Sequence, residues 1–254
     1  MDINKLMVPP SSAFLTGRTA LVTGGGRRLG RLFALALGGA GARVVVHCHT
    51  SRREAEATAG EIGEAEVIVS DLSRAAEAST LLARVAKLLG RPCDILVNNA
   101  ALFARAEALE TSAALWQELH AVNVQAPFLL SQKFVGQLPA AAHGDIINLN
   151  DARALAGDPD HFAYAASKVG LHGLTQNLAR VSRRVSVNEL ALGAVLAPEG
   201  KDYLKTRQAE LPSGEFPRPA EVATAMLCLL ATPRVTGQTI WLDGGQFSAT
   251  NRPR

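Results

Sequence analysis

Seven short apolar runs punctuate the chain, and almost every pair leaves room for a helix between its members. The runs lie at residues 19–23, 42–47, 66–69, 94–98, 145–149, 185–190 and 239–242. They are nearly continuous in Val, Ile and Leu, as in ILVNN and TALVTG, and lack the in-and-out alternation of a sheet with one wet face. Such strands are covered on both sides. Between them, residues 29–37, 79–89, 114–134 and 164–181 carry helical periodicity. Repeated strand–helix–strand units with right-handed crossovers predict an α/β fold: a doubly wound, seven-stranded, mainly parallel sheet with helices on both faces.

The 254 residues show no long Gly/Ser or charged linker and no repeat of 20 to 50 residues. The reading is a loose leader at 1–16 and a single domain at 17–254. A Pro/Gly/Lys-rich stretch at 197–218 interrupts it, within a substrate loop placed at about 193–218. Hydrophobic residues make up 48% and charged ones 19%, enough apolar material for a core. The surplus of 26 Lys+Arg over 23 Asp+Glu is only +3, too small for the many phosphate contacts of nucleic-acid binding. Cys48, Cys93 and Cys228 are odd in number and far apart, which excludes a disulfide scaffold. The first residues lack a secretory pattern and no run reaches transmembrane length, so a soluble cytoplasmic protein without membrane partners is expected.

The first strand runs into Thr23-Gly24-Gly25-Gly26-Arg27-Arg28-Leu29-Gly30 and then a helix. Glycines permit a tight turn and close backbone approach, while the helix start aims free N–H groups at a pyrophosphate. The order strand, glycine turn, helix predicts a Rossmann-like dinucleotide site. An acid about 20 residues on would hold a ribose 2′-hydroxyl and repel a 2′-phosphate. Here the second strand ends in His47-Cys48-His49-Thr50-Ser51-Arg52-Arg53, with no acid before Glu54. With Arg28, these donors and cations predict NADPH. His47 and His49 share a strand face, but without further Cys or acid ligands no metal is expected.

After strand five comes Asp151, and thirteen residues later Tyr164-Ala165-Ala166-Ser167-Lys168. On a helix, Tyr164 and Lys168 share one face. An ammonium beside a phenol stabilises the phenolate and brings it toward a working range.

From about Thr19 to Gly245 the chain resembles the short-chain dehydrogenase/reductase family. The resemblance rests on the glycine turn, Asp71-Leu72, Asn98-Asn99-Ala100, Asn123, the Tyr164/Lys168 pair and Leu242-Asp243-Gly244-Gly245. It implies that Tyr164 donates a proton, that Lys168 holds the nicotinamide ribose, and that Asn123 supports a water-linked proton path. It also implies that Asp71 and Leu72 border the adenine, that Asn98 and Ala100 border the ribose, and that Gly193 belongs to the cofactor site. Arg28 stands where the family has a glycine and Asp151 where it has a serine. Both features are similar to the pteridine and dihydromonapterin reductases, as is the segment from His47 to Ser51, with Thr50 replacing an arginine. Phe103 falls where those enzymes stack their substrate, and Ala101 replaces a serine.

The resemblance implies NADPH-dependent reduction of a dihydropterin-like C=N bond. Asp151 either donates a proton or stays ionised and holds the ring's amino and N–H groups; the sequence leaves both open. Leu196 and Tyr203 complete the expected substrate pocket. The alternatives are a general carbonyl or alcohol reductase and a non-catalytic NADPH-binding regulator. Family members form tetramers through helices corresponding to 114–134 and 164–181, and the tail at 247–254, with Arg252, is a candidate contact to a neighbouring subunit.

Overall fold

The computed structural model describes residues 13–196, 208 and 211–247. Its strands are β1 (Thr19–Val22), β2 (Arg43–Cys48), β3 (Ala65–Val69), β4 (Ile95–Asn98), β5 (Gly144–Asp151), β6 (Val185–Leu192) and β7 (Thr239–Leu242). They form one sheet in the order β3-β2-β1-β4-β5-β6-β7, every pairing parallel. The helices are α1 (Arg28–Gly39), α2 (Arg52–Ile62), α3 (Ala75–Leu89), α4 (Ala113–His120), α5 (Ala126–Gln137), α6 (Ala152–Ala156), α7 (Phe162–Leu178) and α8 (Pro219–Leu230).

Alternate residues of the central strands face opposite layers. Val22, Val44 and Val46 pack with Phe33 and Leu37 of α1 and Met226 of α8. Leu21 and Val45 pack with Leu81 and Val85 of α3 and Leu130 and Phe134 of α5. The sheet is covered on both faces, as the continuous apolar runs require. Strand order reverses between β1 and β4, so a crevice opens at their carboxyl ends, where ligands of such sheets bind.

Four details differ from the sequence reading. The helix expected at 114–134 is broken by a π-helical turn, Ala121–Gln125, in which the Ala126 N–H pairs with the Ala121 carbonyl five residues back. Pro127 sits in the first turn of α5 and has no N–H for the carbonyl of Asn123, four residues earlier, so regular pairing fails there. β5 and β6 each run two residues beyond expectation, pairing Asp151 with Leu192. α7 begins two residues before Tyr164. Of the expected loose leader, Phe14 and Leu15 are packed. Leu15 is 1% exposed in the core beside Phe14, and its N–H donates to the Ala40 carbonyl. Tyr203, half of the expected substrate loop and Arg252 lie outside the described residues. Among those described, no helix is long and apolar enough to cross a membrane.

The amino ends of β1, β4 and β5 are clamped by Arg18. Its Nε donates to Asp94 Oδ1 at 2.8 Å and its Nη2 to Asp145 Oδ2 at 2.9 Å. Asp145 is 2% exposed, and burial pushes its carboxyl above the usual range despite Arg18. Arg18→Met leaves Asp94 to Arg91 and the buried Asp145 to His143 alone, and urea unfolding at neutral pH is expected to show a loss of about 3 kcal/mol. The loss shrinks as pH falls and Asp145, already held above the usual carboxylate range, takes up a proton; an unchanged midpoint at neutral pH contradicts the clamp.

Candidate active site

The turn after β1 is held from three sides. Thr23 Oγ1 donates to the Val97 carbonyl and accepts from the N–H groups of Asn99 and Ala100 at 2.9 and 3.0 Å. Asn99 Nδ2 donates to the carbonyls of Thr23 and Gly24. Gly24 has φ +63, and a Cβ at Gly30 would lie 2.0 Å from the Gly24 carbonyl, so the turn closes only over glycine. Arg28 is the sole described non-glycine with positive φ, +49, a conformation costing an L-residue about 1 kcal/mol. Its Nη2 reaches the Leu196 carbonyl at 3.1 Å, tying the turn to the start of the expected substrate loop. α1 opens with no side-chain cap and no acid in its first turn. Its free N–H groups therefore suit a pyrophosphate.

These elements border a cleft of about 550 Å³ that gathers most of the expected cofactor residues: Gly24, Arg27, Arg28, Leu29, Gly30, His47, His49, Thr50, Ser51, Asp71, Leu72, Ala100 and Tyr164. Several do a different task from the one expected. His47 is 2% exposed; it accepts from the Gly24 N–H on Nδ1 and donates to the Ser70 carbonyl from Nε2. Burial pushes its pKa down to about 4, so it props the turn as a neutral ring and supplies no cation. His49, with its side chain 60% exposed, lies 4.0 Å from Asp71. Asp71 is held below the usual carboxylate range by the Ser73 hydroxyl. Arg27 pairs with Glu54 and Arg52 with Glu56. Asn98 does not line the cleft: it is 3% exposed and donates to Asn148 within the sheet. Gly193 closes against β7, its N–H on the Leu242 carbonyl, and a Cβ there would meet Asp243 Cα at 2.9 Å.

Asp151, the last residue of β5, is also the N-cap of α6. Its Oδ1 accepts from the Ala154 N–H at 3.1 Å and its Oδ2 from the Tyr164 hydroxyl at 3.0 Å. Burial first, then Asp151, raise the Tyr164 pKa well above its ordinary value. The phenol is thereby kept protonated, where the spacing with Lys168 had suggested a stabilised phenolate. Lys168 instead lies under the ring, Nζ 5.8 Å from its centroid, and donates to the Leu149 carbonyl at 2.8 Å. It is 4% exposed; burial lowers its pKa to about 8 against the opposing pull of Asp151 and Glu189.

Asn123, in the π-turn, spends its side chain on structure. Oδ1 accepts from the Leu102 N–H, and Nδ2 donates to the Leu102 carbonyl and to Ser167 Oγ. It ties the segment after β4 to α7, one residue from Phe103. The Phe103 ring meets Tyr164 edge-on, centroids 4.7 Å apart.

Sequence reasoning missed a buried carboxylate beside this group. Glu189 in β6 is 0% exposed and accepts from Thr175, Thr239 and Asn150 and pairs with His172. Asn150 also donates to the Lys168 carbonyl and accepts from the Asp151 N–H. A lone acid inside the apolar run VNELAL was the available signal. Among the described residues no cluster of three His, Cys, Asp or Glu could hold a metal.

Residues 18–208 match the short chain dehydrogenase family. The chain belongs to that family. It is an oxidoreductase of the short-chain dehydrogenase type. It is 32% identical over 245 residues to a 3-oxoacyl-(acyl-carrier-protein) reductase of Synechocystis sp., across 91% of this chain and 97% of that one. Among solved structures, FolM alternative dihydrofolate reductase 1 from Brucella canis, complexed with NADP, has a TM-score of 0.86 and 32% identity, covering 93% of this chain and 96% of that chain. The Pseudomonas aeruginosa RhlG/NADP complex has a TM-score of 0.83 and 29% identity over 94% and 100%.

The prop under the glycine turn gives a pH dependence. An unfolded histidine takes up its proton near pH 6.5, but folded His47 holds out to about 4. Stability is therefore full above pH 6.5 and falls as pH drops from there toward 4, by about 3 kcal/mol. Urea titrations should show this loss in the wild type and its absence in His47→Asn; parallel pH profiles for the two proteins contradict it.

Proposed function

We propose that the chain is an NADPH-dependent reductase of a pterin, acting on a dihydropterin- or dihydrofolate-like C=N bond. The single observation that carries the reading is Asp151, whose carboxylate accepts from Tyr164 at 3.0 Å where simple carbonyl reduction would favour a neutral donor. A ketone develops negative charge on oxygen, which a carboxylate repels. A pterin offers an amino group and ring N–H groups that a carboxylate can hold.

The cleft fits NADPH: the uncapped start of α1 and Arg28 suit the pyrophosphate, and His49, Thr50 and Ser51 suit the 2′-phosphate. When bound, the cofactor supplies the hydride. Tyr164, kept neutral by burial and by Asp151, gives its phenolic proton to the ring nitrogen. Lys168, charged at neutral pH, stabilises the phenolate left behind and would hold the nicotinamide ribose. Asn123 positions Leu102 and α7, with Ala100 and Leu72 walling the nucleotide. Phe103 and Leu196 would border the substrate. The solved FolM structure with NADP supports the reading by its likeness over nearly the whole chain.

The second reading is carbonyl reduction, favoured by likeness to the 3-oxoacyl reductase. Cytoplasmic location and a homotetramer complete the proposal; apolar surface at Trp116 and Phe128, 39% and 42% exposed, supports contact through α4 and α5.

NADPH oxidation assayed with dihydropterins, dihydrofolate and a panel of ketones tests the proposal. Pterin turnover is expected, reduced about a hundredfold in Asp151→Ser. Turnover confined to ketones, with Asp151→Ser unimpaired, overturns it.

A further inference from the structure

Phe103 is 63% exposed, yet its ring is held. One face lies on the His161 imidazole, centroids 4.6 Å apart and planes 29° apart, while an edge rests on Tyr164. The segment carrying Phe103 is stitched to the start of α7 by a bridge between Ala106 and His161 and by the Phe162 N–H on the Ala106 carbonyl at 3.0 Å. His161 is in turn anchored. Its Nδ1 lies 3.0 Å from Asp158 Oδ2, and that carboxylate, 4% exposed, is gripped by Arg153 through Nε at 3.0 Å and Nη2 at 3.1 Å.

A buried aspartate, gripped by a half-buried arginine and orienting an imidazole, is an elaborate support for a solvent-facing ring. Fixing a phenylalanine side chain costs conformational entropy, and a hydrophobic contact with no consequence would not need an anchor. What the arrangement produces is a ring of set tilt beside the Tyr164 phenol, one face backed and the other open. Arg153 belongs to α6, which Asp151 caps, so the backing and the proton donor share one scaffold.

We propose that His161, locked by Asp158 and Arg153, is a specificity-determining positioning residue: it backs Phe103 so that the free face stacks a planar conjugated ring of the substrate. The inference rests on the pterin reading for where the substrate lies, over Phe103, and extends it by naming what selects flat rings over flexible acyl chains. Asp158 carries the orientation and His161 the contact. Preorganisation of this kind appears as affinity, because the ring need not be ordered when substrate arrives.

The test is the dissociation constant of NADP⁺-loaded protein for three probes: an oxidised pterin, isatin as an unrelated planar bicycle, and ethyl acetoacetate as a flexible aliphatic ketoester. The proteins are wild type, His161→Ala, His161→Phe and Asp158→Asn, with melting temperatures to check folding. His161→Ala should weaken both planar probes about threefold to tenfold and leave the ketoester unchanged. His161→Phe should restore binding, and Asp158→Asn should fall between. Equal weakening of all three probes, no weakening, no rescue by phenylalanine, or no planar binding by the wild type overturns the proposal. Isatin binding that depends on His161 without pterin binding upholds the stack and removes the pterin reading. Pterin turnover indifferent to His161→Ala does the reverse.

Discussion

The Asp151 carboxylate accepts two hydrogen bonds that pull different parts of the fold together. One oxygen closes the first turn of α6 and the other takes the phenolic proton donor of α7. The residue can do this because β5 continues to its end in register with β6, pairing Asp151 with Leu192. The sheet thus fixes where the carboxylate sits, and the carboxylate fixes where Tyr164 points. Shortening β5 by two residues would free both. Because the phenol is buried beside a carboxylate, its neutral form is favoured over the phenolate, which suits the proton donor of the proposed mechanism.

Beneath that pair lies a set of buried polar groups that the apolar pattern of the strands conceals. Lys168 and Glu189 are both almost wholly shielded, and burying either charge alone would be costly. Asn150 links them through the Lys168 carbonyl and the Glu189 carboxylate, while its own oxygen holds the Asp151 N–H. Asn148 and Thr175 continue the chain toward Asn98. The network fixes the spacing of β4, β5, β6 and α7 at the end of the sheet where the cleft opens. A purely apolar core would be less costly but would leave that spacing to shape complementarity alone.

Strand number, parallel pairing and the glycine turn were legible because each follows from local pattern: apolar runs of strand length and glycines where a Cβ would collide. Asp151, Tyr164 and Lys168 were legible because their spacing is short and their chemistry specific. What escaped depends on tertiary placement. His47 reads as a cation near a phosphate, and only its contacts with Gly24 and Ser70 reveal a neutral prop. The helix at 114–134 reads as continuous, although Pro127 stood in the sequence as the reason it breaks. His161 and Asp158 lie in a polar turn with no periodicity, and their meaning comes from the Phe103 ring that folds back from a segment almost sixty residues earlier.

The state of the Tyr164 phenol is the point on which the mechanism turns, and it can be read directly. The chain has two tyrosines, so Tyr203→Phe leaves Tyr164 as the sole phenolic chromophore for an ultraviolet difference titration. In the cofactor-free protein this phenol is expected to ionise well above the ordinary value of about 10, and adding Asp151→Asn is expected to bring the ionisation down. Ionisation near neutral pH in the cofactor-free protein, or a titration indifferent to residue 151, would contradict the mechanism.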